Sequence, residues 1–171
     1  MPCTDELLEK LGWAQFISTL DLTKGYWQVP PDESSKEKSA FATHVGLNKF
    51  NVLPFGLRNA PATFQRLVDG FLAGLGEYAV AYLDDVAAFS DSWAEHLEQL
   101  QKVFESIREA GLTVKAKKCQ IGLNRVTYLG HQVCQVTINP LQAKVDAIEK
   151  WPVPKAKKQV QSFLGLAGYY R

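Results

Sequence analysis

The sequence is poor in the residues from which disulfide frameworks and zinc sites are built. It has three cysteines and three histidines, namely Cys3, Cys119, Cys134, His44, His96 and His131. No two cysteines form a CxxC pair, and the histidines lack metal-ligand spacing among themselves. We therefore expect reduced thiols in a reducing compartment, and surface or core positions for the histidines.

Long apolar runs and a signal peptide are also missing. No run approaches the roughly 20 apolar residues of a membrane-spanning helix, and the first six residues do not have the pattern of a secretory signal. Since 46% of the 171 residues are hydrophobic, the composition favours one folded domain with a sizeable core over a disordered chain. These features predict an intracellular protein, cytoplasmic or nuclear, that is neither secreted nor membrane-bound.

A strong excess of positive charge is absent too. The net charge of +1 is low for an enzyme that acts on nucleic acids, because phosphate contacts usually require a basic excess. Lysines nevertheless cluster at residues 115–118 and 155–158. The local distribution of charge therefore matters more than its sum.

Two adjacent carboxylates, Asp84 and Asp85, are the most informative feature that is present. Apolar runs at residues 78–81 and 86–89 flank them, which predicts a β-hairpin buried on its flanks. Two charges at such a tip are costly to desolvate unless a cation neutralises them, and carboxylate oxygens suit Mg²⁺. The alternative is a solvated turn, since Asp is an ordinary turn residue.

A third carboxylate, Asp21, follows a predicted strand at residues 16–20, and the chain turns over residues 22–27. If this strand pairs beside the hairpin, Asp21 and Asp84 meet at one edge of a sheet. Phosphoryl transfer by two metal ions roughly 3.5–4 Å apart requires such a cluster. Bridging two ions needs carboxylates from at least two segments of the chain.

Hydrophobic periodicity predicts two long helices. Asn59 as N-cap and Pro61 in the first turn open one of them. A capping box at residues 92–95 opens the other, and Gly111 ends it. The two helices carry apolar stripes that we expect to be buried: Phe64, Leu67, Val68, Phe71 and Leu75 in the first, and Trp93, Leu97, Leu100, Phe104 and Ile107 in the second.

The rest of the chain alternates predicted strands, loops and short helices. We expect a helix or loop at residues 2–11 and a loop at residues 30–38. Strands are expected at residues 39–45 and 49–53, around Val114, and at residues 126–129 and 133–138. Asn139 and Pro140 are predicted to cap a helix that runs to Lys150, and a last helix follows Pro154. Strands with two helices packed on one face indicate an α+β fold.

Six segments, taken in order, resemble the successive palm motifs of reverse transcriptases. The residues of these motifs are most similar to those of the gypsy-type long-terminal-repeat retrotransposons. The segments are Asp21 with its neighbours, and residues 53–65, 82–85, 111–119, 128–131 and 163–171. The resemblance covers essentially the whole chain without large gaps. It implies an α+β polymerase palm with partial fingers and the start of the thumb, in a piece of a retroelement polyprotein.

The resemblance implies roles for the carboxylates. Asp21 and Asp84 match the principal ligands of two Mg²⁺ ions, for which Mn²⁺ is a substitute. Asp85 matches the second hairpin aspartate, which shapes the site and binds the ions less directly, and the backbone carbonyl of Leu22 would complete the coordination. Lys118 matches a lysine that protonates the leaving pyrophosphate as a general acid; a solvated lysine is the alternative.

The resemblance also implies a nucleotide pocket. Tyr26 matches an aromatic residue whose ring collides with a ribose 2′-OH and so selects deoxynucleotides; from spacing alone, a core aromatic is the alternative. Phe55 and Gly56 match the loop that lines the pocket for the dNTP and the templating base. Many retroviral enzymes have Gln where this chain has Phe55, so contacts through that amide are not carried over. Arg58 is either a surface charge or a template contact.

Primer and template contacts are implied at two places. Tyr128, Leu129 and Gly130 resemble the primer grip, a hairpin that presses the primer end toward the metal ions, and Tyr82 is assigned to the same contact. In the last helix, Gln161, Gly165 and Tyr169 are spaced i, i+4 and i+8 and so share one face. The matching thumb helix of the family tracks along a duplex minor groove in this way; a packing face of small residues is the alternative.

The implied organisation is a palm at residues 1–138, with partial fingers at 30–53 and a primer-grip-like hairpin at 126–138, followed by a truncated thumb at 139–171. The first fingers segment, the rest of the thumb, the connection and the RNase H segment would lie outside the chain, and no RNase H site is assigned. The predicted function is RNA-directed DNA polymerisation from dNTPs on a primed RNA or DNA template, weak or absent in this segment alone. The alternative is a non-enzymatic, degenerate remnant with a palm-like fold.

Overall fold

The computed structural model describes residues 2–169, so that Met1, Tyr170 and Arg171, the last two in the final resembling segment, lie outside the described part. Its strands are β1 (Phe16–Asp21), β2 (Phe41–Thr43), β3 (Gly46–Asn48), β4 (Ala79–Tyr82), β5 (Asp85–Ser90), β6 (Gln120–Leu123), β7 (Arg125–Tyr128), β8 (His131–Cys134) and β9 (Thr137–Pro140). Its α-helices are α1 (Thr4–Gly12), α2 (Glu33–Lys36), α3 (Ala60–Phe71), α4 (Trp93–Glu109), α5 (Gln142–Glu149) and α6 (Lys157–Gly168). Short 3₁₀ turns cover Gly25–Gln28, Glu37–Ser39 and Ala116–Lys118.

The central sheet has four antiparallel strands in the order β4-β5-β1-β6. Both faces of β1, β4 and β5 are covered, so most residues of these strands are apolar, whereas β6 at the edge is largely exposed. Helices α3 and α4 cover one face, where their buried residues pack on Leu20, Val86 and Ala88. Helix α1 and the small sheet β7-β8-β9 cover the other face and pack on Ile17 and Ala87. The predicted α+β fold, with two long helices on one face, is confirmed.

Helix α4 is rotated relative to its prediction. Its capping box is present, since the Ser92 side chain accepts from the backbone N–H of Glu95, and Gly111 follows the helix at φ 70°. Its buried face, however, consists of His96, Leu100, Val103 and Ile107. Three residues predicted to be core are exposed: Trp93 at 47%, Leu97 at 49% and Phe104 at 36%. The predicted apolar face and the observed buried face both have helical spacing. Packing against the sheet therefore decides which of the two faces is buried.

Helix α3 agrees better with its prediction. Pro61 lies in its first turn, and Phe64 and Val68 are fully buried. Asn59 occupies the N-cap position but its side chain makes no capping hydrogen bond.

The segment predicted as loop and fingers strands differs in two respects. Residues 30–38 are not all loop, because the Asp32 carboxylate caps the short helix α2 by accepting from the backbone N–H of Ser34. The second strand expected at residues 49–53 lies earlier, as β3. A two-residue turn closes the β2–β3 hairpin, with Thr43 opposite Gly46, and this turn fixes the register.

The C-terminal part also departs from prediction. Strand β6 was not foreseen, and Val114 forms only an isolated bridge with Leu22. Asn139 and Pro140 extend β9 opposite β8 and do not cap a helix. Helix α5 begins two residues later, after Leu141. Pairing with β8 provides hydrogen-bond partners for the backbone groups in this segment, so the helix starts after it.

Candidate active site

The three carboxylates meet at one end of the central sheet. Asp21 ends β1 and lies directly opposite Asp85, which begins β5. Directly opposed residues of an antiparallel pair present their side chains on the same face. Asp84 lies in the two-residue connection that joins Tyr82 to Asp85. The prediction that the first strand pairs beside the aspartate hairpin is confirmed.

A buried glutamine holds the turn that carries Asp84. Leu83 has φ 55°, an unfavourable conformation for a residue with a side chain. The Gln65 side chain accepts from the backbone N–H of Leu83 at 2.8 Å and donates to the Ala81 carbonyl at 3.3 Å. On the other side, the N–H of Leu22 donates to the Asp84 carbonyl at 2.9 Å. No role was predicted for Gln65, although a glutamine on the buried face of an apolar helix is a signal that the sequence contains.

Lys118 is brought to Asp21 from 97 residues away. Its Nζ lies 2.6 Å from Oδ2 of Asp21, and the backbone N–H of Lys115 donates to the Asp21 carbonyl at 2.8 Å. The hydrogen bond to Asp21, with the charge of that carboxylate, raises the pKa of the Lys118 ammonium. The Lys118 side chain is 55% exposed and that of Asp21 only 19%. The ammonium therefore serves as the counterion of a carboxylate that is largely withdrawn from water.

The three neighbouring carboxylates, Asp21, Asp84 and Asp85, concentrate negative charge at this end of the sheet. Burial raises the pKa of Asp85, the charges of Asp84 and Asp21 raise it further, and Lys118 opposes them. Neighbouring like charges disfavour ionisation unless a cation compensates them. The arrangement thus has the electrostatics of a cation site.

A cleft of about 350 Å³ opens beside these groups, lined among others by Asp21, Asp85, Lys118, Tyr128 and Leu129. The Tyr128 hydroxyl donates to the backbone carbonyl of Asp85 at 3.0 Å, and burial raises the pKa of this phenol. The β7–β8 hairpin is thereby joined to the strand that carries Asp85. The structure brings the predicted hairpin residues to the carboxylates.

An aromatic cluster lies on the other side of Asp84. A Cβ added at Gly25 would lie 3.8 Å from Oδ2 of Asp84, so the chain passes close to this carboxylate. The next residue, Tyr26, packs on Phe55 and Phe64, with ring centroids 5.2 Å and 5.4 Å away. Burial and the charge of Asp84 raise the pKa of Tyr26. Phe55 is 63% exposed and continues into Gly56, so the cluster is open to a ligand.

The remaining candidates are not among the residues that line this cleft. Arg58 is exposed beside the start of α3, where it lines a separate cleft with Lys38. Gln161 and Gly165 are exposed on α6. Tyr169 follows the end of α6, and its hydroxyl donates to the Leu129 carbonyl at 3.0 Å. This contact between the last helix and the hairpin was not predicted.

Within residues 2–169, no group of three or more His, Cys, Asp or Glu side chains is close enough together to hold a metal ion. No helix in this part of the chain has the length and apolar character needed to cross a membrane. The donor chemistry nevertheless fits a hard divalent cation, because three carboxylates share one sheet end and an ammonium already neutralises one of them.

Comparison with known proteins gives the family. The family described as "Reverse transcriptase (RNA-dependent DNA polymerase)" matches residues 2–133. The chain is 44% identical over its full length to the retrovirus-related Pol polyprotein from transposon 297, and 38% identical to that from transposon gypsy, both of Drosophila melanogaster. It spans 16% and 17% of the lengths of these relatives.

Solved structures agree with this assignment. The foamy viral protease-reverse transcriptase superposes with a TM-score of 0.91 at 30% identity, over 100% of this chain and 30% of that one. The resemblance to reverse transcriptases of gypsy-type elements and the palm-like α+β fold, predicted from sequence motifs, are both confirmed. The chain belongs to the reverse transcriptase (RNA-dependent DNA polymerase) family.

Proposed function

We propose that this chain is the palm of an RNA-directed DNA polymerase, which transfers a nucleotide from a dNTP to the 3′ end of a primer. The observation that carries the proposal is the pairing of Asp21 with Asp85, with Asp84 in the adjoining turn and Lys118 on Asp21. We infer a palm at residues 1–138, with partial fingers at 30–53 and the primer-grip-like hairpin at 126–138. The start of a thumb would lie at residues 139–171.

Divalent cations fit the charge of this site. We infer that Asp21, Asp84, Asp85 and the Leu22 carbonyl hold two Mg²⁺ ions, for which Mn²⁺ would substitute. When bound, such ions polarise an attacking hydroxyl and stabilise the charge of a leaving pyrophosphate. Binding of cations would also relieve the mutual repulsion that raises the pKa of Asp85.

Lys118 is suited to act as a general acid. Its ammonium lies at the edge of the cleft and is hydrogen-bonded to Asp21, and a lysine is protonated at neutral pH. A protonated amine within reach of the pyrophosphate can donate a proton as the leaving group departs. Release of Lys118 from Asp21, when a cation takes its place, would free the ammonium for this task.

Tyr26 is suited to select deoxynucleotides. Its ring is held by Phe55 and Phe64 next to Asp84, so it cannot move away without disrupting this packing. A rigid ring beside the sugar of an incoming nucleotide would clash with a 2′-OH and leave room for a 2′-hydrogen. Gly56 and the exposed face of Phe55 would line the same pocket.

Nucleic acid is the second proposed ligand. The solved foamy viral relatives are in complex with double-stranded DNA and with an RNA/DNA hybrid. For this chain, we infer contacts with a primed RNA or DNA template at the hairpin end and along the last helix. The residues concerned are Arg58, Tyr82, Tyr128, Leu129, Gly130, Gln161, Gly165 and Tyr169.

The three cysteines are free thiols, which supports an intracellular setting, in the cytoplasm or nucleus.

A degenerate remnant without activity is the second candidate. Such a remnant would keep the palm-like fold and the carboxylates but would transfer no nucleotide. The intact set of Asp21, Asp84, Asp85 and Lys118 favours the polymerase. We expect weak or no extension by these 171 residues alone and full activity with the flanking polyprotein segments joined to them.

Primer extension separates the two candidates. A labelled DNA primer on an RNA template is incubated with dNTPs and Mg²⁺, with and without EDTA, using the chain joined to its flanking segments. The polymerase predicts extension that EDTA and Asp84→Asn abolish, while Asp91→Asn, an exposed aspartate at the far end of β5, retains it. A well-folded joined chain that extends nothing would establish the remnant.

A further inference from the structure

Three contacts converge on the turn of the β7–β8 hairpin. The Tyr169 hydroxyl donates to the Leu129 carbonyl oxygen at 3.0 Å, and Nδ1 of His131 bonds the same oxygen at 3.0 Å. The backbone N–H of Leu141 donates to the Gly130 carbonyl at 3.4 Å. Since a carbonyl oxygen only accepts, the proton of a neutral His131 ring must lie on Nδ1. Both carbonyls of the turn are thus engaged by groups that follow it in the chain.

The turn needs such support. Leu129 has φ 46° and Gly130 has φ 74°, the positive pair that a two-residue type I′ hairpin requires. Glycine adopts this conformation readily, whereas a leucine does not, because its Cβ crowds the backbone. A turn with an unfavourable residue at its first position persists where surrounding contacts hold it.

The position of the turn affects the cleft directly. Tyr128 and Leu129 form part of the cleft wall, facing Asp21, Asp85 and Lys118. The Tyr128 hydroxyl holds the residue before the turn on the Asp85 carbonyl, which leaves the end of the hairpin, the turn residues Leu129 and Gly130, to be held by the groups that follow it. Tyr169 acts on this end: its ring stacks on His131, with centroids 6.1 Å apart and planes at 23°, and its hydroxyl reaches Leu129.

We propose that Tyr169 is a positioning residue, whose hydroxyl holds the Leu129–Gly130 turn at the mouth of the carboxylate cleft. The end of α6 is thereby coupled to the wall against which a primer end would be seated. The effect on a primer rests on the proposed polymerase function. The effect on the hairpin does not, because it depends only on the contact between Tyr169 and Leu129.

Hydrogen exchange tests the effect on the hairpin. Tyr169→Phe removes the hydroxyl and keeps the stacked ring, and Tyr78→Phe is the matched control, since Tyr78 packs against the core on the α3 and α4 side. In the full chain, we expect amide exchange at His131 and Leu141 to accelerate by roughly threefold to tenfold in Tyr169→Phe, the value of one hydrogen bond. The control should exchange like the unaltered chain. Equal exchange rates in all three proteins would overturn the proposal.

Duplex binding and extension test the effect on the primer. We expect Tyr169→Phe to weaken the affinity for a primer–template duplex about threefold by fluorescence anisotropy, and to lower the rate of extension while the KM for dNTP is unchanged. Unaltered affinity and rate, together with faster exchange, would overturn the positioning role. If the unaltered chain joined to its flanking segments incorporates no nucleotide, the proposed function fails, and exchange and duplex affinity still decide the role of Tyr169.

Discussion

The side-chain amide of Gln65 accepts a 2.8 Å hydrogen bond from the backbone N–H of Leu83, and both residues are withdrawn from bulk water. The same amide donates to the Ala81 carbonyl and to Asp69. Helix α3 therefore holds the segment that leads into Asp84, at Ala81 and at Leu83. This hydrogen bond links α3, whose position is set by packing in the core, to the turn that carries Asp84, on which the proposed chemistry depends.

Replacement of Gln65 by methionine should damage both stability and activity. The side chain keeps its size, but the Leu83 N–H and the Ala81 carbonyl lose their partner, which costs roughly 1–3 kcal/mol for a buried polar group. Urea unfolding would measure the loss, with Gln101→Met on the exposed face of α4 as control. Primer extension by the chain joined to its flanking segments should also fall. The loss of rate should exceed the fraction of protein that unfolds, because Asp84 is displaced in the folded variant. Equal stability of the two variants would contradict this account.

Asp85→Asn should stabilise the protein at neutral pH while removing function. Burial, Asp84 and Asp21 raise the pKa of Asp85 above its ordinary 3.8, so the ionised carboxylate is less favourable in the folded state than in the unfolded one. The gain should be full above the raised pKa, shrink as the pH falls through it, and vanish below 3.8.

Chemical denaturation from pH 3 to pH 8 would measure this gain. Saturating Mg²⁺ should reduce it, because a bound cation stabilises the ionised carboxylate. Asp91→Asn serves as the control for loss of an exposed charge at the other end of β5. A gain that does not depend on pH would show that repulsion at the site is not its cause.

His96 should make stability fall at mildly acidic pH. Its Nε2 and Nδ1 are 2.7 Å from the hydroxyls of Ser18 and Ser90. Ser90 donates its single proton to Gln99, so Nδ1 of His96 donates to Ser90. In a neutral ring Nε2 then carries no proton and accepts from Ser18.

Burial lowers the pKa of His96 below its ordinary 6.5. Stability is therefore full above pH 6.5 and is lost as the pH falls from there through the lowered pKa, because the unfolded state protonates first. Unfolding between pH 5 and pH 8 should show this slope in the unaltered chain and in His44→Gln, where the histidine is exposed. His96→Gln should remove most of it; a slope that persists there would assign it to another group.

Tyr26→Ala should relax the choice of sugar. Without the ring, a 2′-OH has room beside Asp84, and incorporation of ribonucleotides relative to deoxynucleotides should rise at least about tenfold, the discrimination that a single steric contact supplies. Single-nucleotide extension with the joined chain would measure the ratio of kcat/KM values. Phe41→Ala, an exposed aromatic in the β2–β3 hairpin, is the control. An unchanged ratio would remove Tyr26 from the nucleotide pocket.

Much of the fold follows from local patterns. Apolar runs on both sides of Asp84 and Asp85 predicted β4 and β5 correctly, and the N-terminal signals of α3 and α4 predicted where these helices begin. Such signals act over a few residues, through turn chemistry and side-chain period. They failed where a strand and a helix start compete for the same residues. At Asn139 and Pro140, pairing with β8 prevails and the helix begins later in the chain.

Motifs and periodicity in neighbouring residues were enough to predict the family, the three aspartates and the alternation of strands and helices. Tertiary packing sets the contacts of Gln65 with Leu83, of Lys118 with Asp21 and of Tyr169 with Leu129. It also decided which face of α4 is buried. These contacts join residues 18 to 97 positions apart, and their partners are selected by the packing of whole elements, which no local pattern specifies.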